Sequence, residues 1–191
     1  MKLQFKEQDF QIQAVKAVVD CFAGQPLKTN RFTLERSQQL IRKAKQAAQG
    51  ITTLDLESEV MEEIGYRNSP IQITESQILQ NIQNVQKRND LNESQQIERP
   101  KGVKLGYNLT IEMETGTGKT YTYIRTMYEL NKHYGWSKFI VIVPSIAIRE
   151  GVYKSFQVTQ DHFQELYGHK INPFIYNSAR PQDIENFASD S

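Results

Sequence analysis

Thiols are almost absent from this sequence of 191 residues. Its one cysteine, Cys21, leaves no second thiol for an intrachain disulfide or a multi-cysteine zinc site, and points to core packing in a reducing, cytoplasmic compartment. An excess of either charge is lacking as well. Lys and Arg number 23 against 22 Asp and Glu, a net charge of +1, so no global field favours a polyanion and any contact with one must be local. No apolar run approaches the roughly 18 residues that cross a bilayer, and the opening MKLQFKEQDF has no apolar centre of the kind a secretory signal needs. The three histidines, His133, His162 and His169, have no metal-ligand spacing with Cys21 or with paired carboxylates, which argues against a metal held by protein ligands alone.

What is there is 38% hydrophobic, enough for one cored domain with an appended subdomain. The texture changes twice along the chain. Residues 1–26 hold a strand candidate at KLQF and a helix over 9–22, whose stripe of Phe10, Ile12, Ala14, Val15, Val18, Val19 and Phe22 is ended by Gly24 and Pro26. Residues 27–104 are polar, glutamine-rich and helical in period. Leu34, Ile41 and Ala48 recur at a fixed spacing, Leu56, Val60, Met61 and Ile64 share a face, and Thr74 with Gln77 has capping-box spacing for a helix to about Arg88. The run NDLNESQQIERPKGVKLG that follows reads as a linker or mobile loop. Over 105–191 the pattern alternates: YNLTIEM, a glycine loop, a helix to Gly135, the β-branched run KFIVIVP, a helix from Ile146, and NPFIYNS. This order predicts an α/β fold with a parallel sheet covered by helices, the aromatics Tyr121, Tyr123, Tyr128, Tyr134 and Trp136 serving as core.

The chemistry is concentrated in METGTGKT, residues 113–120. Gly116 and Gly118 permit backbone angles and a close approach that a Cβ would forbid, so successive N–H groups from Thr115 through Thr117 to Tyr121 can point at phosphate oxygens. Lys119 can reach and stabilise the β and γ phosphates, Thr120 offers a hydroxyl to Mg²⁺, and the helix start adds partial positive charge. Strand, loop and helix in this order read as a nucleotide-binding loop, against the plainer reading of a glycine turn with an exposed lysine. Met113 stands where the full pattern has its first glycine.

Two further positions stay open on the residues alone. Gln11 falls in the middle of the apolar stripe, where an unsatisfied amide costs about 1–3 kcal/mol. Adenine pairs an N6 donor with an N7 acceptor, which a side-chain amide matches with two hydrogen bonds. Gln11 therefore either reads a base, with Phe10 or Phe5 packing nearby, or sits in a fraying first turn and reaches solvent. The second position is VPSIAIRE, which begins on the carboxyl edge of the expected sheet. Ser145, the N–H groups from Ile146 and the charge of Arg149 either hold a nucleic-acid phosphate, or Ser145 merely caps a helix and Arg149 is a solvated charge.

FQIQAV, METGTGKT and IVIVPSIAIREGVYKSF, in this order, resemble the adenine-recognition glutamine, motif I and motif Ia of superfamily 2 helicase-like ATPases. The wording is most similar to the restriction (Res) subunit of type III restriction-modification enzymes, in NLTIEMETGTGKTYTYIRTMYELN and in VPSIAIREGVYKSF running into HFQELYG. The similarity covers most of residues 1–24 and 71–180, and Met113 is ordinary in that group. It implies a RecA-like P-loop NTPase lobe with a helical insertion, ATP and Mg²⁺ as cofactors, and Gln11 as adenine reader. It further implies Ser145, Ile146 and Arg149 as contacts to the phosphate backbone of double-stranded DNA, and a modification methyltransferase subunit as partner. The implied activity is an ATP-dependent, DNA-translocating endonuclease. A type I restriction motor subunit or another superfamily 2 translocase is the neighbouring possibility, and a non-catalytic P-loop module the alternative of a different class.

An ATPase of this kind also needs a carboxylate pair at the end of a later strand. FIVIV runs into Pro144 and FIY into Asn177, while Asp183 and Glu185 follow Pro181 in a polar stretch, so no acidic box is found. The expectation is an N-terminal fragment that binds ATP weakly and does not turn it over.

Overall fold

The computed structural model describes residues 5–33, 64–102, 106–179 and Phe187. Helix α1, Asp9–Asp20, buries Val15 and Val19. It stops slightly before the expected Phe22, because the chain turns over Cys21–Gly24 and Gly24 takes a left-handed φ of 92°. Phe5, the described end of KLQF, lies in no strand. The positions Leu34, Ile41, Ala48, Leu56, Val60 and Met61, expected to line amphipathic helices, lie outside the described residues.

Ile64 differs from its expected helical face. It opens β2, Ile64–Asn68, which pairs antiparallel with β1, Thr29–Thr33, Thr29 lying opposite Asn68 and Thr33 opposite Ile64. Gly65 weakens a helix at this point, while a facing strand satisfies the backbone groups of an IGYRN segment directly. Two amides tie this strand pair to the rest of the molecule. Buried Gln25 donates to the Pro70 carbonyl at 3.1 Å and accepts from the Gln72 N–H at 2.8 Å. The Asn68 amide donates to the Lys138 carbonyl at 2.7 Å and accepts from the Ser137 and Lys138 N–H groups at 2.8 Å. The Trp136 indole N–H adds a bond to the Ser69 carbonyl at 3.0 Å.

Helix α2, Glu75–Arg88, has the expected bounds and a complete capping box: the Thr74 hydroxyl accepts from the Gln77 N–H, and the Gln77 side chain accepts from the Thr74 N–H. The segment after it, expected to be a linker or mobile loop, is fastened to α2 at Ser94. The Gln83 amide donates to the Ser94 carbonyl at 2.9 Å, and Gln86 takes the Ser94 N–H at 2.8 Å while donating to its hydroxyl. Side-chain amides supply here the hydrogen bonds that the segment's few apolar residues do not replace.

Helix α3, Lys119–Tyr134, and helix α4, Ile146–Tyr167, complete the described elements, each closed by a left-handed glycine, Gly135 and Gly168. The core is built on both sides of α3. Toward α1, Val15 and Val19 pack with Leu130, Tyr134 and Trp136; toward α4, Ile124 and Tyr128 pack with Phe163. Tyr128, Tyr134 and Trp136 are thus core, as their spacing predicts, and the Tyr134 hydroxyl donates to the Val19 carbonyl at 2.8 Å.

The parallel sheet is not formed among the described residues. YNLTIEM, KFIVIVP and NPFIYNS carry no strand pairing, and the one sheet among the described residues is the antiparallel β1–β2 pair. β-Branched composition gives a segment two apolar faces, but a strand exists only when neighbouring backbone takes up its N–H and C=O groups. Here the central apolar run faces solvent, with Ile140 82% and Ile142 90% exposed. No helix among the described residues is long and apolar enough to cross a membrane.

Candidate nucleotide site

The segment Thr115–Gly118 makes a tight turn between Glu114 and α3, with Gly116 at φ 84° and Gly118 at φ 85°. Both values lie in the left-handed region that L residues adopt only at a cost. Thr117 closes the turn, its hydroxyl donating to the Glu114 carbonyl at 2.6 Å. A Cβ on Gly116 would meet nothing within 4 Å, so that face of the loop is open to a large polar group. Gly118 caps α3 without a side chain, and the helix leaves the N–H groups of Lys119, Thr120 and Tyr121 without intrahelical acceptors. Lys119 is exposed and forms no ion pair with another described residue. Open loop face, unpaired amides and unpaired ammonium together fit a polyphosphate.

Gln11 lies on this loop rather than in solvent. Its Nε2 donates to the Thr117 carbonyl at 2.8 Å, and the space where Gly118 would carry a Cβ is filled by that same nitrogen, 2.5 Å away. The first turn of α1 is therefore joined to the glycine loop by a bond between residues 106 positions apart. Phe10 is half exposed, whereas Phe5 packs its ring on Tyr121 with centroids 6.0 Å apart. Next to Thr120 and Tyr121 lies a cleft of about 230 Å³ whose lining includes Phe5, Lys154 and Val158.

A polar cluster missed by sequence reasoning sits along the same face of α3. The Tyr121 hydroxyl is hydrogen-bonded to His162 Nε2 at 2.9 Å, and burial pushes the tyrosine up and the histidine down from their ordinary pKa values, Arg125 adding to the second shift. Arg125, largely buried, pairs with Glu7 at 3.0 Å, and Tyr167 donates to Glu129 at 2.7 Å. Arg125 stands four residues after Tyr121 and three before Tyr128, on the face that carries the aromatics. A charge in that register was the available signal.

Ser145, Ile146 and Arg149 are brought together at the start of α4. The Ser145 hydroxyl accepts from the Ile148 N–H at 3.3 Å, Ile146 is exposed, and Arg149 pairs with its neighbour Glu150 at 2.8 Å. Among the described residues no hydrogen bond or ion pair links these three to the glycine loop. His133 lies 3.4 Å from Glu129, and His169 is exposed beside Tyr128.

The family model of the type III restriction enzyme, res subunit, matches residues 4–184. The chain is similar to the Type III restriction-modification enzyme EcoP15I Res subunit of Escherichia coli, 33% identical over 136 residues, which are 65% of this chain and 14% of that protein. It is similar in the same degree to the EcoPI Res subunit of Escherichia phage P1, 33% identical over 141 residues, 65% of this chain and 14% of that protein. The StyLTI Res subunit of Salmonella typhimurium is 47% identical over 62 residues, 31% of this chain and 6% of that protein. The matched part thus spans about 14% of the length of the first two relatives.

Proposed function

The chain belongs to the family of type III restriction enzyme Res subunits, with the helicase-like P-loop NTPase fold that membership brings, and on that premise we propose that it is the ATP-binding part of a restriction subunit. The intact enzyme would translocate along double-stranded DNA at the expense of ATP, cut it, and work with a modification methyltransferase subunit. One observation carries this reading: two left-handed glycines lead directly into α3, and Gln11 grips the carbonyl between them.

Each residue then has a task. Backbone amides from Thr115 to Tyr121 would surround the phosphates, Lys119 would neutralise the β and γ groups, and Thr120 would ligate Mg²⁺ through its hydroxyl. Bound ATP supplies a phosphoanhydride whose hydrolysis drives movement. Gln11 gives one amide hydrogen to Thr117, which leaves its second hydrogen and its carbonyl oxygen for adenine N7 and N6. Base reading and phosphate reading would therefore share one side chain. At the start of α4, Ser145 keeps a hydroxyl hydrogen to donate, Ile146 has an unpaired N–H, and the exposed Arg149–Glu150 pair is weak enough for a DNA phosphate to replace Glu150. Residues 107–113 and 138–144 would be parallel strands of the complete RecA-like lobe; the exposed faces of Ile140 and Ile142 support a sheet position for the second. The division into 1–26, the insertion 27–104 and the lobe from 105 follows the same reading.

Calorimetry with Mg²⁺–ATP tests the site. Measurable binding to the wild type that Lys119→Ala reduces by about tenfold or more supports it, the loss of one charge-assisted contact being of that size. Equal heats for the two proteins would remove the assignment.

A further inference from the structure

Helix α1 begins without a side-chain cap. Gln8 at its N-cap gives no capping hydrogen bond, Asp9 is the one acidic residue of the first turn, and the Gln8 carbonyl takes the Gln11 and Ile12 N–H groups at 3.0 and 3.1 Å. A helix end of this kind frays. Yet Gln11, in that first turn, must hold its amide at one position on the phosphate loop, and a base reader that swings discriminates poorly.

What steadies the turn is the segment before it. Glu7 reaches Arg125, two turns along α3, with Oε1 3.0 Å from Nη2; the arginine side chain is 12% exposed and the glutamate 42%. Residues 7–11 are thus pinned at two points, through Glu7 at Arg125 on α3 and through Gln11 at Thr117 in the loop before it. Phe5 on Tyr121 adds an apolar contact just ahead of them. The arginine is an awkward choice for packing alone, because its Nη1 is buried with no hydrogen-bond partner among the described residues. An apolar side chain of similar length would fill the same volume without that orphaned donor.

We infer that Arg125 is a positioning residue for base selection, holding Gln11 on the adenine through Glu7 and the first turn of α1. The inference rests on the nucleotide-site reading above. It separates a positioning role from a purely structural ion pair, which would lower the stability of the fold and leave the ratio of ATP to GTP affinity in the folded protein unchanged.

The test is calorimetry of the 191-residue chain with Mg²⁺–ATP and Mg²⁺–GTP, alongside thermal unfolding, for the wild type, Gln11→Ala, Glu7→Gln, Arg125→Met and Arg125→Lys. Glu7→Gln and Arg125→Met should each cut the ATP-to-GTP ratio by about fivefold, the share of a paired hydrogen bond lost when its donor is free to swing. Glu7→Gln keeps an oxygen acceptor for Arg125 but removes the charge facing a largely buried guanidinium, so a modest fall in melting temperature is expected and the ratio is read where every variant is fully folded. Arg125→Lys should restore most of the ratio, and adding Gln11→Ala to Glu7→Gln should lower it no further. A ratio that Gln11→Ala abolishes but Glu7→Gln and Arg125→Met leave intact overturns the positioning role alone. A wild type that binds no nucleotide, or binds both equally, overturns Gln11 as base reader and this inference with it.

Discussion

Replacing Gly118 by alanine probes the join between α1 and the glycine loop. Two separate costs follow from the geometry. A φ of 85° disfavours any residue with a Cβ, by about 1–2 kcal/mol. The new methyl would also stand 2.5 Å from the Gln11 Nε2, too close to coexist, so the amide must leave the Thr117 carbonyl and forfeit a further 0.5–1.5 kcal/mol or about that. In a Gln11→Ala background the second cost vanishes, since the bond is already gone and the space is empty. Gly118→Ala should therefore destabilise the wild type by about 2–3 kcal/mol and the Gln11→Ala protein by about 1–2, a coupling near 1 kcal/mol. Urea unfolding reads all four corners of the cycle through the one tryptophan, Trp136, which is buried in the α1–α3 core. Equal destabilisation in both backgrounds would refute the contact.

Three further outcomes are expected. Burial pushes the Cys21 thiol up to about 11, with Asp20 adding to the shift, so the thiol should react with a disulfide reagent at pH 8 only as fast as the fold opens; rapid full labelling of the native protein would contradict this. Thr74→Ala removes the capping box of α2 and should cost about 1 kcal/mol in urea unfolding, whereas Thr74→Ser should be nearly silent. The His162 pKa is lowered below its ordinary 6.5, mainly by burial and then by Arg125, so the unfolded chain binds the proton more readily. Its contribution is fully present above pH 6.5 and is lost as pH falls through the folded value; His162→Gln should flatten the melting-temperature profile on that acid side, and an unchanged slope would exclude the effect.

The parts of the fold that sequence reasoning anticipated are those decided within a few residues. Thr74 and Gln77 cap each other, Ser145 caps α4, and Gly118 and Gly135 bracket α3, all by bonds to near neighbours. Ile64 and the FIVIV run depend instead on distant backbone. Ile64 lies opposite Thr33, a partner its own periodicity cannot name, and FIVIV has apolar faces but no paired strand among the described residues. The same division holds in the site. Gly116, Gly118 and Lys119 carry their chemistry in their spacing, whereas Arg125 gains its role from Glu7, in the segment before α1 and far away in the chain.

Gln11 joins the two kinds of information. Its place on an apolar stripe shows in the sequence as an anomaly, an amide where about 1–3 kcal/mol would be lost unless a partner is found. The partner is a loop carbonyl, and it can only be reached because residue 118 has no side chain. Glycine at that position thus does two things at once: it turns the chain toward α3, and it leaves room for a side chain from α1. The buried contacts of Val15 and Val19 with Leu130 and Tyr134 fix the distance between the two helices, so the amide meets the carbonyl without further adjustment. A glycine loop shaped this way depends on α1 for its conformation, which makes the first turn of that helix part of the proposed nucleotide site and not an adjunct to it.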